Sequence, residues 1–487
     1  MKYDVAIIGA GVVGALTARV LSRYKLKTVV LEKESDAAGG ASRANSGIVH
    51  GGFDPIPGTK KAYLNVRGAA MMPALTEELG VSYRQNGSLV LAFSEEEMDP
   101  VRTLYRRGTE NGVPGLSLLS SDEVLSLEPR VSKQVVGALR CTSSGIVCPY
   151  SLTIAALGNA MDNGADFLRD FPVDRIEADG DSFSLYAGEK KVEASFVINC
   201  AGLYADRIAA MIGDGQYTLI PKKGEYLLLD RTEGDLSSHT LFQVPTAAGK
   251  GVLVSPTADG NLLVGPTSVA IEDKECRDVT AEGISAIRDA AKKSVEDIPY
   301  RQVITSFTGL RAALVGEEDF VIEHSAQHPR FLHAIGIDSP GLSSAPAIAE
   351  ELFSMLEEAG LHAEKNEAFD GRRAPYHRFR DLPAEEKNAI IRRDPSYGHI
   401  VCRCETVTEG EILEAIRRNP AAKTMDGVKR RVRAGMGRCQ GGFCSTYVAE
   451  LIAKENGFPT TDVTKFGRGS YLLTGYTKGG VCKHDDR

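Results

Sequence analysis

Four cysteines late in the chain carry the sharpest chemical signal in these 487 residues. Cys402-Arg403-Cys404 and Cys439-Gln440-Gly441-Gly442-Phe443-Cys444 read C-x-C, a gap of 34 residues, then C-x4-C. In an extended segment, side chains two apart share one side, so both thiolates of the first pair can meet one metal centre. Gly437, Gly441 and Gly442 leave backbone N–H groups of the second loop free to approach sulfur. Four thiolates suffice for one [2Fe–2S] cluster. The competing reading is a structural zinc site. The C-x-C half counts against it, because zinc pairs more often have two to four residues between them. The run Lys429-Arg430-Arg431, with Arg433 and Arg438, could offset a negative cluster; as a bare charge run it would be a solvated face.

The second signal is Gly9-Ala10-Gly11-Val12-Val13-Gly14, a GxGxxG at the end of an apolar run. Its glycines permit a tight turn and close approach of backbone to a pyrophosphate, whose charge the following helix N-terminus favours. Glu32 stands eighteen positions past Gly14, where a carboxylate can accept hydrogen bonds from ribose hydroxyls. The chain then continues into a glycine- and serine-rich stretch, residues 39–52, that could lie along an extended cofactor, and no second GxGxxG appears. That favours FAD over NAD. Arg311 carries a planar fork suited to a carboxylate or phosphate, against which a surface ion pair is the plain alternative. His50, in the glycine-rich stretch, can take a hydroxyl proton, or it can simply pack.

These groups need elements to hold them. Residues 2–8 read as a buried strand, Val13, Leu16, Val20 and Leu21 as a helical apolar stripe, and residues 28–31 as a second strand. A strand-like run at 88–93 and a charged helix near 95–111 follow, then a helix at 151–163 and a strand at 195–199. Residues 216–310 are strand-rich, punctuated by Gly and Pro as in an antiparallel sheet. A strand at 331–335 precedes a helix at 345–358. Residues 361–398, rich in His, Arg and Pro, read as a connector with one short helix near 384–392. In the cysteine module Thr408 and Glu411 fit a capping box, and Ser445 fits the cap of a helix carrying Val448, Leu451 and Ile452.

Composition sets limits. An apolar fraction of 43% is that of globular protein, and a net charge of −8 argues against a nucleic-acid binder. No run approaches a membrane span, and the strand at residues 2–8 leaves no room for a secretory signal. Nine cysteines is an odd count, so reduced thiols, a metal site and the cytoplasm are expected. Cys482 stays unassigned.

The motifs together resemble the FAD-dependent oxidoreductase family that includes glycine and D-amino-acid oxidases, L-2-hydroxyglutarate oxidase and glycerol-3-phosphate dehydrogenase. The resemblance rests on the N-terminal motif, Ser42-Arg43 through Gly52, Asn199-Cys200-Ala201-Gly202, Thr308-Gly309-Leu310-Arg311 and Gly336-Ile337-Asp338-Ser339-Pro340-Gly341-Leu342-Ser343. It implies an α/β fold with a discontinuous Rossmann-like FAD domain (1–80, 145–215, 311–360) and an antiparallel-sheet substrate domain (81–144, 216–310). FAD would lie against Gly9, Gly11, Val12, Val13 and Gly14, then Glu32 and Lys33, then Ala41, Ser42, Arg43, Asn45, Ser46 and Gly47. Val173, Ala201, Gly202, Gly309, Gly336 and Asp338 would extend the site, with Gly341, Leu342 and Ser343 beside the flavin ring. Arg311 would anchor substrate, His50 would act as base, and Lys223, Glu225 and Tyr226 would enter the substrate sheet. Lys222 reads as solvated.

Residues 399–455 resemble the BFD-like [2Fe–2S] domain, a small helical unit also fused to anaerobic glycerol-3-phosphate dehydrogenase large subunits; residues 456–487 form a tail. The C-x4-C departs from the C-x2-C of free-standing members. A flavin joined to a cluster implies a dehydrogenase that discharges to a second redox subunit or carrier, with membrane contact only through such a partner. The expected substrates, in order, are sn-glycerol 3-phosphate, L-2-hydroxyglutarate and an amino or imino acid. A non-catalytic electron-transfer subunit and an iron-delivery partner are the readings from other classes.

Overall fold

A computed structural model describes residues 2–245 and 251–478; Cys482 lies outside them. The run Lys2–Ile8 is buried on both faces, which is the pattern of a central parallel strand rather than a half-exposed one. It lies between Lys190–Asn199 and Thr28–Leu31, parallel to both, with Val5 opposite Phe196 on one side and Thr28 on the other. Phe331–Ile335 adds to the same sheet beyond Lys190–Asn199, and Asp166–Leu168 beyond Thr28–Leu31. Three stretches of chain far apart in sequence thus build one eight-stranded sheet. The helix Val12–Leu21 packs on Pro149–Asp162 and Gly341–Glu358, and the last of these on Lys60–Glu78. That last contact is close. A Cβ on Gly68 would collide with the Ser343 carbonyl, so glycine lets one helix fix the start of the other.

A nine-stranded sheet stands beside the first, with its longest pair, antiparallel Leu219–Leu229 and Val303–Leu314, toward one side. It is mixed rather than wholly antiparallel: Thr240–Gln243 runs parallel to Ser88–Ala92, with Leu241 opposite Leu89. About half of the eight-stranded sheet intervenes in sequence, so no tight hairpin dictates their direction. The strand-rich reading of 216–310 also passes over a helix, Ala281–Ala291, started by Thr280 accepting from the Gly283 N–H at 3.0 Å. The helix Lys60–Glu78 was equally hidden, because Gly68 and Pro73 interrupt its pattern.

The connector holds the short helix Ala384–Arg393. In the cysteine module a small hairpin, Ile400–Cys402 with Val407–Thr408, leads to helices Glu409–Arg417, Met425–Val432 and Ser445–Asn456 around Ile412, Val428, Val448 and Ile452. The capping box forms: Thr408 accepts from the Glu411 N–H, and Glu411 from the Thr408 N–H at 2.7 Å. Ser445 is no cap. It is the first helical residue, and its hydroxyl donates back to the Gly441 carbonyl at 2.6 Å. Among the described residues no helix is long and apolar enough to cross a membrane.

Candidate functional site

One cavity of about 2050 Å³ runs from the glycine turn to the nine-stranded sheet. At its nucleotide end Gly9 has φ +107°, and a Cβ there would collide with the Cys200 carbonyl; Gly14 meets the Gly9 carbonyl just as tightly. Helix Val12–Leu21 opens at Gly11, and the Val12 N–H donates to Ser42 Oγ at 2.9 Å. Gly9, Gly11, Val12, Val13, Glu32, Lys33, Ala41, Ser42, Arg43, Asn45 and Ser46 line the wall, as do Val173, Ala201 and Gly202. Gly14 and Gly47 do not. They stand behind it, Gly14 letting helix approach strand and Gly47, at φ +68°, lying against the Val147 carbonyl. A cradle shaped by glycines at a helix start fits a dinucleotide pyrophosphate.

Glu32 is buried and accepts from the Ala10 N–H at 2.7 Å and the Glu34 N–H at 2.9 Å. Burial outweighs both bonds and pushes the carboxyl from 4.5 up to about 7. Since the folded value exceeds the unfolded one, the folded state holds this proton more tightly. Its stabilising effect is complete below pH 4.5 and is lost as pH rises through 7. In FAD-stripped protein, Glu32→Gln should therefore gain stability over wild type by up to roughly 3 kcal/mol between pH 5 and 8. Denaturant unfolding at the two pH values reads it, and a gap independent of pH would refute it.

At the other end His50, Tyr226, Arg311, Gly309, Gly336, Asp338, Gly341, Leu342 and Ser343 line the same cavity. The His50 backbone is held on both sides: its N–H donates to Ser343 Oγ at 2.8 Å, and its carbonyl accepts from Asn65 Nδ2 at 2.6 Å. The His50 ring lies 5.7 Å from that of Phe242. Arg311 donates to the Thr267 carbonyl at 3.2 Å and to Ser268 Oγ at 3.4 Å, and its charge lies near the Tyr226 hydroxyl. Strand register sets Arg311 opposite Lys222 in the antiparallel pair of Leu219–Leu229 and Val303–Leu314. Lys223 departs from its expected place. It does not line the wall and is instead taken up in a buried ion pair with Glu225, two positions on along the same face of the strand, at 2.9 Å. Lys222 is exposed, as expected, and also lines the cavity, as does Glu225, which accepts from the Thr280 N–H at 2.9 Å. Lys61, paired with Asp338 at 2.8 Å, joins the wall from a helix that carried no motif.

The four module thiols meet two by two. Cys402 interacts with Cys444, and Cys404 with Cys439. The Cys444 thiol, with the Gly435 and Glu405 N–H groups, draws Cys402 down to about 6 against its burial. Burial opposes the same change at Cys439, but the Phe443, Gly441 and Gly442 N–H groups prevail and lower it. No three His, Cys, Asp or Glu side chains among the described residues converge on a single-ion position. Two thiols per iron, each pair wrapped in backbone N–H donors, fits a [2Fe–2S] cluster.

The basic run is neither a solvated face nor a collar around the cysteines. Arg431 grips Asp36 at 2.7 and 2.9 Å and Arg430 adds a third bond at 3.0 Å, all buried. Arg433 pairs with Glu405 at 2.8 Å and Asp259 at 2.9 Å. Only Arg438 stands out in solvent, paired with Asp230. These residues clamp the module onto both sheets, because carboxylates distant in sequence fold against them.

Comparisons with known proteins agree with this geometry. Residues 4–355 match the FAD dependent oxidoreductase family, and residues 400–454 the BFD-like [2Fe–2S] binding domain. A glycerol 3-phosphate dehydrogenase of Caloramator mitchellensis is 45% identical over 98% of this chain and 100% of its own. Human mitochondrial L-2-hydroxyglutarate dehydrogenase is 32% identical over 56% of this chain and 62% of its own. Among solved structures, L-alpha-glycerophosphate oxidase of Mycoplasma pneumoniae with FAD bound superposes with a TM-score of 0.73 at 30% identity, covering 79% of this chain and 99% of that one.

Proposed function

The chain belongs to the FAD dependent oxidoreductase family and carries a BFD-like [2Fe–2S] binding domain, and from that premise we propose that it oxidises sn-glycerol 3-phosphate to dihydroxyacetone phosphate as a dehydrogenase. The observation that carries this reading is the end-to-end match, 45% identical over 98% of the chain, to a glycerol 3-phosphate dehydrogenase. The hydroxyglutarate relatives match less of it at lower identity, 32% over 56% of the chain for one and 28% over 72% for another. When bound, FAD supplies a two-electron acceptor and the cluster a one-electron outlet.

Oxidising a secondary alcohol to a ketone removes the hydroxyl proton and, from the carbon, a hydrogen with two electrons. His50 takes the hydroxyl proton, its ring aimed by the two hydrogen bonds on its backbone. Arg311 presents its fork to the phosphate, steadied by Thr267 and Ser268. Lys222 on the same wall adds charge suited to a dianion. Phe242, Val244 and Leu253 form an apolar side that keeps water from the reacting carbon.

A one-electron outlet favours discharge to a second redox subunit or carrier over discharge to O₂. Thiols that must stay reduced suit the cytoplasm, and membrane contact would come through the partner. The test is anaerobic addition of sn-glycerol 3-phosphate, L-2-hydroxyglutarate or proline to the FAD- and iron-loaded protein. Glycerol 3-phosphate should bleach the flavin within the mixing time of a turnover. Bleaching by hydroxyglutarate alone would overturn the assignment, and full-rate peroxide formation in air would overturn the word dehydrogenase.

A further inference from the structure

We propose that electrons cross from the flavin end of the cavity to the cysteine cluster at the contact between Tyr150 and Met436. This rests on the flavin-to-cluster reading above and names the residues that carry it. The Tyr150 hydroxyl donates to Met436 Sδ at 3.6 Å. Burial pushes that hydroxyl well above its ordinary range, so it stays protonated. Thioether sulfur is soft and polarisable, well suited to a contact between two redox sites.

Both sides of the contact lead directly to the groups concerned. Met436 sits between Gly435, whose N–H meets the Cys402 sulfur, and Gly437, packed so closely on Cys404 that a Cβ would collide with it. Tyr150 follows Cys148 and the strand Gly145–Val147. That strand pairs with Ile48–Val49, Ile146 opposite Ile48, and its Val147 N–H donates to the Gly47 carbonyl at 2.8 Å. Ser46, Ile48 and His50 line the cavity. A continuous path of bonds, one backbone hydrogen bond and one hydroxyl–sulfur contact therefore joins cavity wall to cluster ligand. Of the module's ionic anchors, Arg431 ends at the nucleotide loop on Asp36 and Arg438 beside the nine-stranded sheet on Asp230, while the Arg433–Asp259 pair lies beside Tyr150 itself.

Substrate oxidation delivers two electrons. They cross singly, the first leaving the cluster for a one-electron acceptor (ferricyanide in an assay) before the second follows. No bond is made or broken at Tyr150 or Met436, and no proton moves there.

In FAD- and iron-loaded protein, flash photoreduction of the flavin starts this transfer without substrate, and the reduced-cluster electron paramagnetic resonance signal times it. Tyr150→Phe keeps the ring and removes the hydroxyl; Met436→Leu keeps the bulk and removes the sulfur. Each should slow cluster reduction severalfold, while FAD content, iron content and substrate-driven flavin bleaching stay at wild-type values. Should one variant lose iron, the other decides. Wild-type rates of cluster reduction in an iron-replete variant of either kind overturn the proposal. Failure of glycerol 3-phosphate to bleach the flavin would instead sink the substrate assignment alone, since the flash needs no substrate.

Discussion

Replacing Asp36 by alanine should destabilise the protein by about 3–5 kcal/mol, because it strips the counter-charge from buried guanidiniums. Asp36 is 2% exposed and takes three bonds from Arg430 and Arg431. Burial alone would raise its carboxyl, yet the two arginines hold it well below the ordinary range. Removing it leaves Arg431, itself fully buried, with only the Pro420 and Gly427 carbonyls. The loss should not stay local. Two residues on, the Ala38 N–H donates to the Ala10 carbonyl of the glycine turn at 3.0 Å, so Asp36 ties the cysteine module to the loop that shapes the nucleotide end. Asp36→Ala should therefore release FAD more readily and open the module to protease, whereas Asp36→Leu with Arg431→Met should recover much of the stability, the coupling being measured as a double-mutant cycle. A change below about 0.5 kcal/mol, the range of ordinary surface substitutions, would mean that the pair is not a lock.

That lock also marks the limit of what the sequence discloses. Gly9, Gly11, Glu32 and the four cysteines act through short-range pattern, with chemistry fixed by spacing, and they lie where their motifs put them. Lys222 and Lys223 are adjacent and alike in charge, and what separates them is the buried ion pair that takes up Lys223 but not Lys222, a contact the charge pattern does not show. Arg430 and Arg431 read as a basic run because their partner stands some 395 positions earlier, and no local pattern encodes a pairing over that distance. Asn65 and Lys61 lie on a helix whose glycine and proline conceal its period, although that Gly68 is what lets the helix reach Ser343. Local motifs are legible because one element makes them. Contacts between elements become legible only when the topology is known.

Substituting His50 by alanine should lower kcat by about 10²–10⁴-fold, the span expected for loss of a general base, while KM and FAD content change little. The split follows from geometry. On the proposed reading, substrate charge would be met by Arg311 and Lys222, on the nine-stranded sheet, and FAD by the glycine turn and Glu32, so neither binding term would pass through the imidazole. What His50 contributes is placement: Ser343 Oγ holds its N–H, Asn65 Nδ2 holds its carbonyl, and the Phe242 ring stands 5.7 Å from its own. Those bonds involve only the backbone, so alanine leaves them intact and the loop stays where it is. The deficit should therefore appear in the rate of anaerobic flavin bleaching at saturating glycerol 3-phosphate, and added imidazole, small enough to enter the vacated space, should restore part of it. A variant that bleaches at the wild-type rate would show that the hydroxyl proton leaves by another route. A variant whose KM rises with kcat unchanged would make His50 a binding group, and the base would then have to be sought among the other polar groups of the same wall.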